Sequence, residues 1–224
     1  MGCILPDSKN NKNLFSALLI DLEERDQPYI DYIGVSFSIS AKILCFWLKN
    51  GFSLIMLKPR KELYREEHIC IMIKLFSISK RENYFWLNFF QREFLKEFIL
   101  LCGTDFRNLS TNTVFNIIES SNFSTKRRFF REYFSGLDLK RLSAFTDKSI
   151  VSYKIVNYLI PIISKSYFWN FLDKKILNLS ELLLLISMGF QLKNFTAIKL
   201  EFGVKKHNLI IALKGVLNKF IKFL

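Results

Sequence analysis

From Ile30 to Met72 the chain reads IDYIGVSFSISAKILCFWLKNGFSLIMLKPRKELYREEHICIM, and its punctuation sets an order of strand, helix, strand, strand. Tyr29 to Phe37 is rich in β-branched and aromatic residues, which suit a buried pleated strand. Ser40 is placed to cap a helix, because a serine hydroxyl accepts from the otherwise unpaired N–H groups of a first turn. Ile43, Leu44, Trp47 and Leu48 then recur at helical spacing, and Asn50-Gly51 stops the helix, since glycine tolerates a left-handed backbone. Phe52 to Leu57 and Ile69 to Leu75 read as two further strands, with a charged loop from Lys58 to Glu67 between them. The whole stretch is a fragment of an α/β layer.

Outward from it, the sequence changes character on both sides. Residues 1–13 are polar, without apolar periodicity, and read as a flexible terminus. After Ser79 the period becomes 3.6. Trp86, Phe89, Phe90, Phe94, Phe98 and Leu101 form one stripe along a helix over Arg81 to Cys102, with Gly103 as its stop. Shorter helices are expected at Ser110 to Ser120, Thr125 to Phe134, Leu137 to Phe145, Lys148 to Ile160, Ile162 to Phe171, Ser180 to Ser187, Asn194 to Phe202 and Lys205 to Phe223. The expected organisation is an α/β segment over residues 14–79 followed by a mostly α-helical domain over residues 80–224.

Composition narrows the chemistry. A chain of 224 residues that is 50% hydrophobic can bury a full core. A formal charge of +13 and a pI near 9.6 fit a polyanionic partner, because clustered Lys and Arg neutralise phosphates and release counterions. Codon bias in an AT-rich genome gives a competing account, since the 24 Phe come with abundant Lys, Asn, Ile and Leu. Cys3, Cys45, Cys70 and Cys102 form no CxxC pair, and His68 and His207 complete no zinc-type spacing, so no metal is expected. The apolar stretches Ile150 to Ile163 and Ile176 to Phe190 are broken by Lys154, Pro161 and Glu181. Each falls short of the roughly 20 apolar residues of a membrane span, so no membrane partner is expected.

The 30–72 stretch, with FWLKNGF inside it, resembles the RNA cytidine acetyltransferases, which place an acetyl group on cytidine N4 of tRNA or small-subunit rRNA. The likeness continues through Asp105-Phe106-Arg107, DLKRL from Asp138 to Leu142, and GFQLK from Gly189 to Lys193. It covers nearly everything after residue 13. The resemblance implies the C-terminal half of a GNAT-type acetyltransferase fold followed by an RNA-binding (tRNA-binding) helical domain. It also implies acetyl-CoA as the cofactor, ATP as the fuel of a helicase module that lies upstream in the family, and a nuclear or nucleolar setting.

Acetyl-CoA sites of this fold hold the pyrophosphate on a glycine-rich turn opening a helix. The eight glycines here are widely separated, and no GxxxxGK[ST] loop is present. A separate chain carrying the helicase and acetyl-CoA-binding modules is therefore an expected partner, and a non-catalytic RNA-binding remnant is the alternative.

By resemblance, Lys49 stands where the family keeps a basic coenzyme contact. The same residue also complements the dipole at a helix C-terminus. His68 occupies the position of a family histidine and is either a base for the cytidine amine or a hydrogen-bonded strand residue. For RNA, Lys126, Arg127, Arg128 and Arg131 alternate with Phe129 and Phe130, a pattern that serves base stacking or a core-facing amphipathic helix equally well. Lys140, Arg141, Lys165 and Lys193 are the further RNA-binding candidates by family position, and the helix pair around Gly203 has helix-turn-helix spacing.

Overall fold

The computed structural model describes residues 30–61, 66–76, 83–121, 133–147, 152–168 and 176–223. Three strands, β1 (Tyr32–Ser38), β2 (Ser53–Lys61) and β3 (Glu66–Leu75), form one antiparallel sheet in the order β1-β3-β2. Helix α1 (Ala41–Lys49) connects the two outer strands. Ser40 caps it as expected, accepting from the N–H of Ile43 at 3.3 Å, and Gly51 follows it at φ +79°. The charged loop is shorter than the sequence implied. Strands β2 and β3 stay paired out to Lys61 and Glu66.

Alternation sorts the sheet into two faces. Cys70 stands opposite Phe37 and Leu57, and Met72 stands opposite Val35 and Leu54, so these residues share one face. Leu44 of α1 is fully buried, and Trp47 packs on Phe37 and Phe52 at ring separations of 6.4 and 4.7 Å. Trp47 and Phe52 are therefore core residues. The other face, with Ile69, Ile71 and Ile73, is only half-buried. Among the described residues, β1 has a paired strand on one side only.

Helix α2 (Asn83–Leu101) packs along β2. Phe94 and Phe98 of the expected stripe are buried, but Phe89 and Phe90 are exposed; Leu95 and Ile99 take their place in the core. The remaining helices are α3 (Thr111–Ser120), α4 (Gly136–Asp147), α5 (Ile160–Phe168), α6 (Leu179–Leu185), α7 (Phe195–Phe202) and α8 (Lys206–Ile221).

Of the helix expected over Lys148 to Ile160, residues 148–151 lie outside the described residues, and the rest is replaced by two short 3-10 turns at Tyr153–Ile155 and Asn157–Leu159. Helix α5 then starts at Ile160, with Pro161 in its first turn, where proline's missing N–H costs nothing. The helix expected at Thr125 to Phe134 falls largely outside the described residues. Its last residue, Phe134, is buried 5.5 Å from the Phe220 ring. A single apolar core runs from Leu44, Cys70 and Met72 through Phe98 and Phe106 to Leu213 and Phe220, so the sheet and the helices are packed as one unit.

Candidate functional site

Residues of three of the short sequence signatures, far apart in the chain, form two meeting points. The first is the junction between sheet and helices. Phe106 sits against His68 with ring centroids 5.1 Å apart and against Phe98 at 5.3 Å. His68 itself is only 4% exposed, on the buried face of β3. The loop after α2 is then gripped by Gln191. Its amide nitrogen donates to the carbonyls of Leu109 at 2.8 Å and Arg107 at 3.2 Å, and its oxygen accepts from the Thr111 hydroxyl at 3.0 Å. Arg107 closes the loop from the other side by donating to the Leu192 carbonyl at 3.1 Å.

Lys193 belongs to the same clamp. Its ammonium donates to Glu201 at 2.7 Å, to the Leu109 carbonyl at 3.0 Å and to the Thr111 hydroxyl at 3.4 Å. The Lys193 side chain is 9% exposed and that of Glu201 22%, so the lysine is the more deeply withdrawn from water. Burial pulls the Glu201 carboxyl upward, but the bonds from Lys193 and from the Thr111 N–H outweigh it and hold the group below its ordinary value.

The second meeting point lies between α5 and the end of α6. Helix α6 continues into a single π turn, Ile186–Phe190, which carries Gly189 onto Ser164. A Cβ at Gly189 would lie 1.9 Å from the Ser164 hydroxyl oxygen, so only glycine fits. Ser164 is buried and donates toward the carbonyls of Ile160 and Leu185 at 2.8 and 3.0 Å. The extra residue of a π turn widens the helix locally and sets Gln191 and Lys193 at the loop they hold.

The other basic candidates are spread over the helical surface. Lys140 is exposed on α4. Arg141 is 42% exposed, donates to the Tyr158 hydroxyl at 2.5 Å, and lies 3.7 Å from Asp138. The Tyr158 hydroxyl in turn donates to Asp138; this bond, followed by those from Ser135, lowers the Asp138 carboxyl's pKa. Ser135 and Asp138 also exchange hydrogen bonds that cap α4. Lys165 is half-buried on α5. Lys126, Arg127, Arg128 and Arg131 lie outside the described residues.

Tyr158, Thr111 and Glu201 were not singled out by the sequence. A polar Gln191 inside the apolar run ISMGFQL was the available signal for a buried amide.

Lys49 is exposed in the last turn of α1. Its segment offers one cation and, among the described residues, no pair of neighbouring glycines to cradle a pyrophosphate, so these residues do not by themselves fit acetyl-CoA. Among the described residues there is also no group of three or more His, Cys, Asp or Glu placed to hold a metal ion, and no helix long and apolar enough to cross a membrane.

The sheet segment and the helical part correspond to two known domain types. The family model described as GNAT acetyltransferase 2 matches residues 5–77, and the one described as a possible tRNA binding domain matches residues 86–224. The class is therefore an acetyltransferase-type sheet joined to a helical domain of the possible tRNA-binding type.

The relatives fix the family. The RNA cytidine acetyltransferase of Mus musculus is 30% identical over 212 residues, covering 92% of this chain and 21% of the relative. That of Homo sapiens is 29% identical over 212 residues with the same coverages, and that of Saccharomyces cerevisiae is 26% identical over 220 residues, covering 92% and 20%. The chain belongs to the RNA cytidine acetyltransferase family and spans about a fifth of the length of these relatives, in their C-terminal part.

Proposed function

We propose that this chain holds the RNA substrate of N4-acetylcytidine formation, in tRNA or small-subunit rRNA, and presents it to an acetyltransferase sheet of which it supplies the last three strands. The observation that carries this reading is the clamp of Gln191 and Lys193 on the loop at Phe106. It braces the loop whose Phe106 ring packs on His68 of the sheet, so RNA held on the helices keeps a fixed relation to that strand.

In this reading Lys126, Arg127, Arg128, Arg131, Lys140 and Lys165 contact phosphates. Arg141, held by Tyr158 and Asp138, presents a preset guanidinium. Lys193 acts by positioning the clamp, and the burial of His68 supports a packing role for that ring. The division is an α/β segment over 14–79 and an RNA-binding domain over 80–224.

The outer edge of β1, open among the described residues, is a template for further strands. We assign those strands, with the acetyl-CoA cradle and the ATP-using module, to sequence in the same polypeptide or to a separate chain, in a nuclear or nucleolar setting. Lys49 contributes one coenzyme contact there.

Ultraviolet cross-linking of the chain to tRNA, with the cross-linked peptides identified by mass spectrometry, tests the RNA-holding role. Cross-links are expected in peptides spanning 126–131, 140–141 and 165. Cross-links confined to the sheet, or none, contradict it.

A further inference from the structure

Helices α6, α7 and α8 line an open pocket of about 280 Å³ that the clamp does not use. Leu183 of α6 and Ile198 of α7 form apolar walls, Phe202 at the end of α7 offers a ring, and Ala212 of α8 leaves the space between them open. Two polar residues, Asn208 and Ser180, stand in this otherwise apolar lining. The Ser180 hydroxyl donates to Asn178 at 2.8 Å and keeps its acceptor capacity. The volume lies just under the roughly 300–1,000 Å³ of drug-sized pockets, which suits one planar ring system.

The surroundings are cationic. Lys205, Lys206 and His207 are exposed and fall in sequence between the lining residues Val204 and Asn208, and Lys199 is exposed on α7. The acidic residues of the same helices are already committed: Glu201 to Lys193 and Glu181 to Lys219, each at 2.7 Å. Lys205 also starts α8 without a side-chain cap, so the positive end of a 16-residue helix dipole lies beside the lining residue Asn208.

We propose that this cavity takes a single unpaired nucleobase of the bound RNA. Phe202 stacks on the base, Asn208 and Ser180 bond its edge, and Lys205 and Lys206 hold the flanking phosphates. Stacked unpaired bases with a hydrogen-bonded edge are the usual currency of single-strand RNA recognition, and an amide supplies both a donor and an acceptor. The cationic rim favours this occupant over an apolar side chain of another protein. The inference rests on the RNA-holding role proposed above.

A single-stranded oligonucleotide carrying one 2-aminopurine, which brightens when it unstacks, is the probe. The full chain should raise its fluorescence. Ala212→Leu, which fills the cavity, should weaken RNA binding about tenfold, the scale of one lost base–aromatic stack, with the salt slope unchanged. Phe202→Leu keeps an apolar side chain without a ring and should weaken binding similarly, which covers the case in which Ala212→Leu fails to fold. Replacing Lys205 and Lys206 together by Ala should flatten the salt slope by about 1.4, at roughly 0.7 per phosphate.

Wild-type affinity in both cavity variants overturns the base site and leaves the RNA-holding role standing. Absence of salt-dependent RNA binding by the wild-type chain removes both. Loss of self-association in Ala212→Leu at sedimentation equilibrium, with RNA binding unchanged, gives the cavity to a second copy of the chain and overturns the proposal.

Discussion

Gly189 has no room for a side chain. An added methyl would overlap the Ser164 hydroxyl, whose position is fixed by two carbonyls, so the helices must part to admit it. Gly189→Ala should cost about 2–3 kcal/mol, in the range of overpacked cores, read as a lower urea midpoint with an unchanged m-value.

Glu201 offers a test by pH. Its carboxyl titrates lower in the folded chain than in the unfolded one, so the stabilisation is fully present above the ordinary glutamate value. It is lost as pH falls through the lowered folded value, from about pH 5 downward. The chain should therefore lose stability on acidification in that window, and Asp138 adds in the same direction. In Glu201→Gln, melting temperatures at neutral pH should be lower and their acid decline shallower. An equally steep decline would place the acid sensitivity elsewhere.

Element boundaries were mostly legible where local chemistry is decisive. Ser40, Ser110 and Asn194 each cap the helix that follows, and Asn50-Gly51 ends α1, because caps and left-handed turns depend on neighbouring residues alone. The 3-10 turns before α5 and the burial of α2 were not legible in the same way. Both depend on which neighbour the fold supplies, and helical periodicity alone cannot rank Phe89 against Leu95.

Helix α2 consequently leaves Phe85, Phe89 and Phe90 exposed, at 79%, 56% and 54%, near a groove beside β2. Such a patch binds apolar dyes and promotes association. Phe85→Glu with Phe89→Glu should reduce dye fluorescence and raise the solubility limit, with a stability change within about 0.5 kcal/mol. A loss of several kcal/mol would mean that these rings are packed in solution.

At the scale of the whole molecule, the family was legible from the order of its short signatures, whereas the jobs of individual signature residues were not. Gln191 and Lys193 read equally well as RNA contacts until their partners are known, since a basic or amide side chain serves a phosphate or a carbonyl with the same donors. Packed together, they brace the loop at Phe106, whose ring meets His68 of the sheet, and among the described residues Lys140 is left exposed and the Arg141 side chain partly so.

The charge of +13 is the property that this division of labour must explain. The most direct measurement is the salt dependence of tRNA binding by the chain, as log K against log salt concentration. The account predicts a linear fall with a slope of about −0.7 to −0.9 per phosphate contacted, appreciably flattened when Lys126, Arg127, Arg128 and Arg131 are replaced together by Ala. A slope near zero, or one that these four replacements leave untouched, would contradict it.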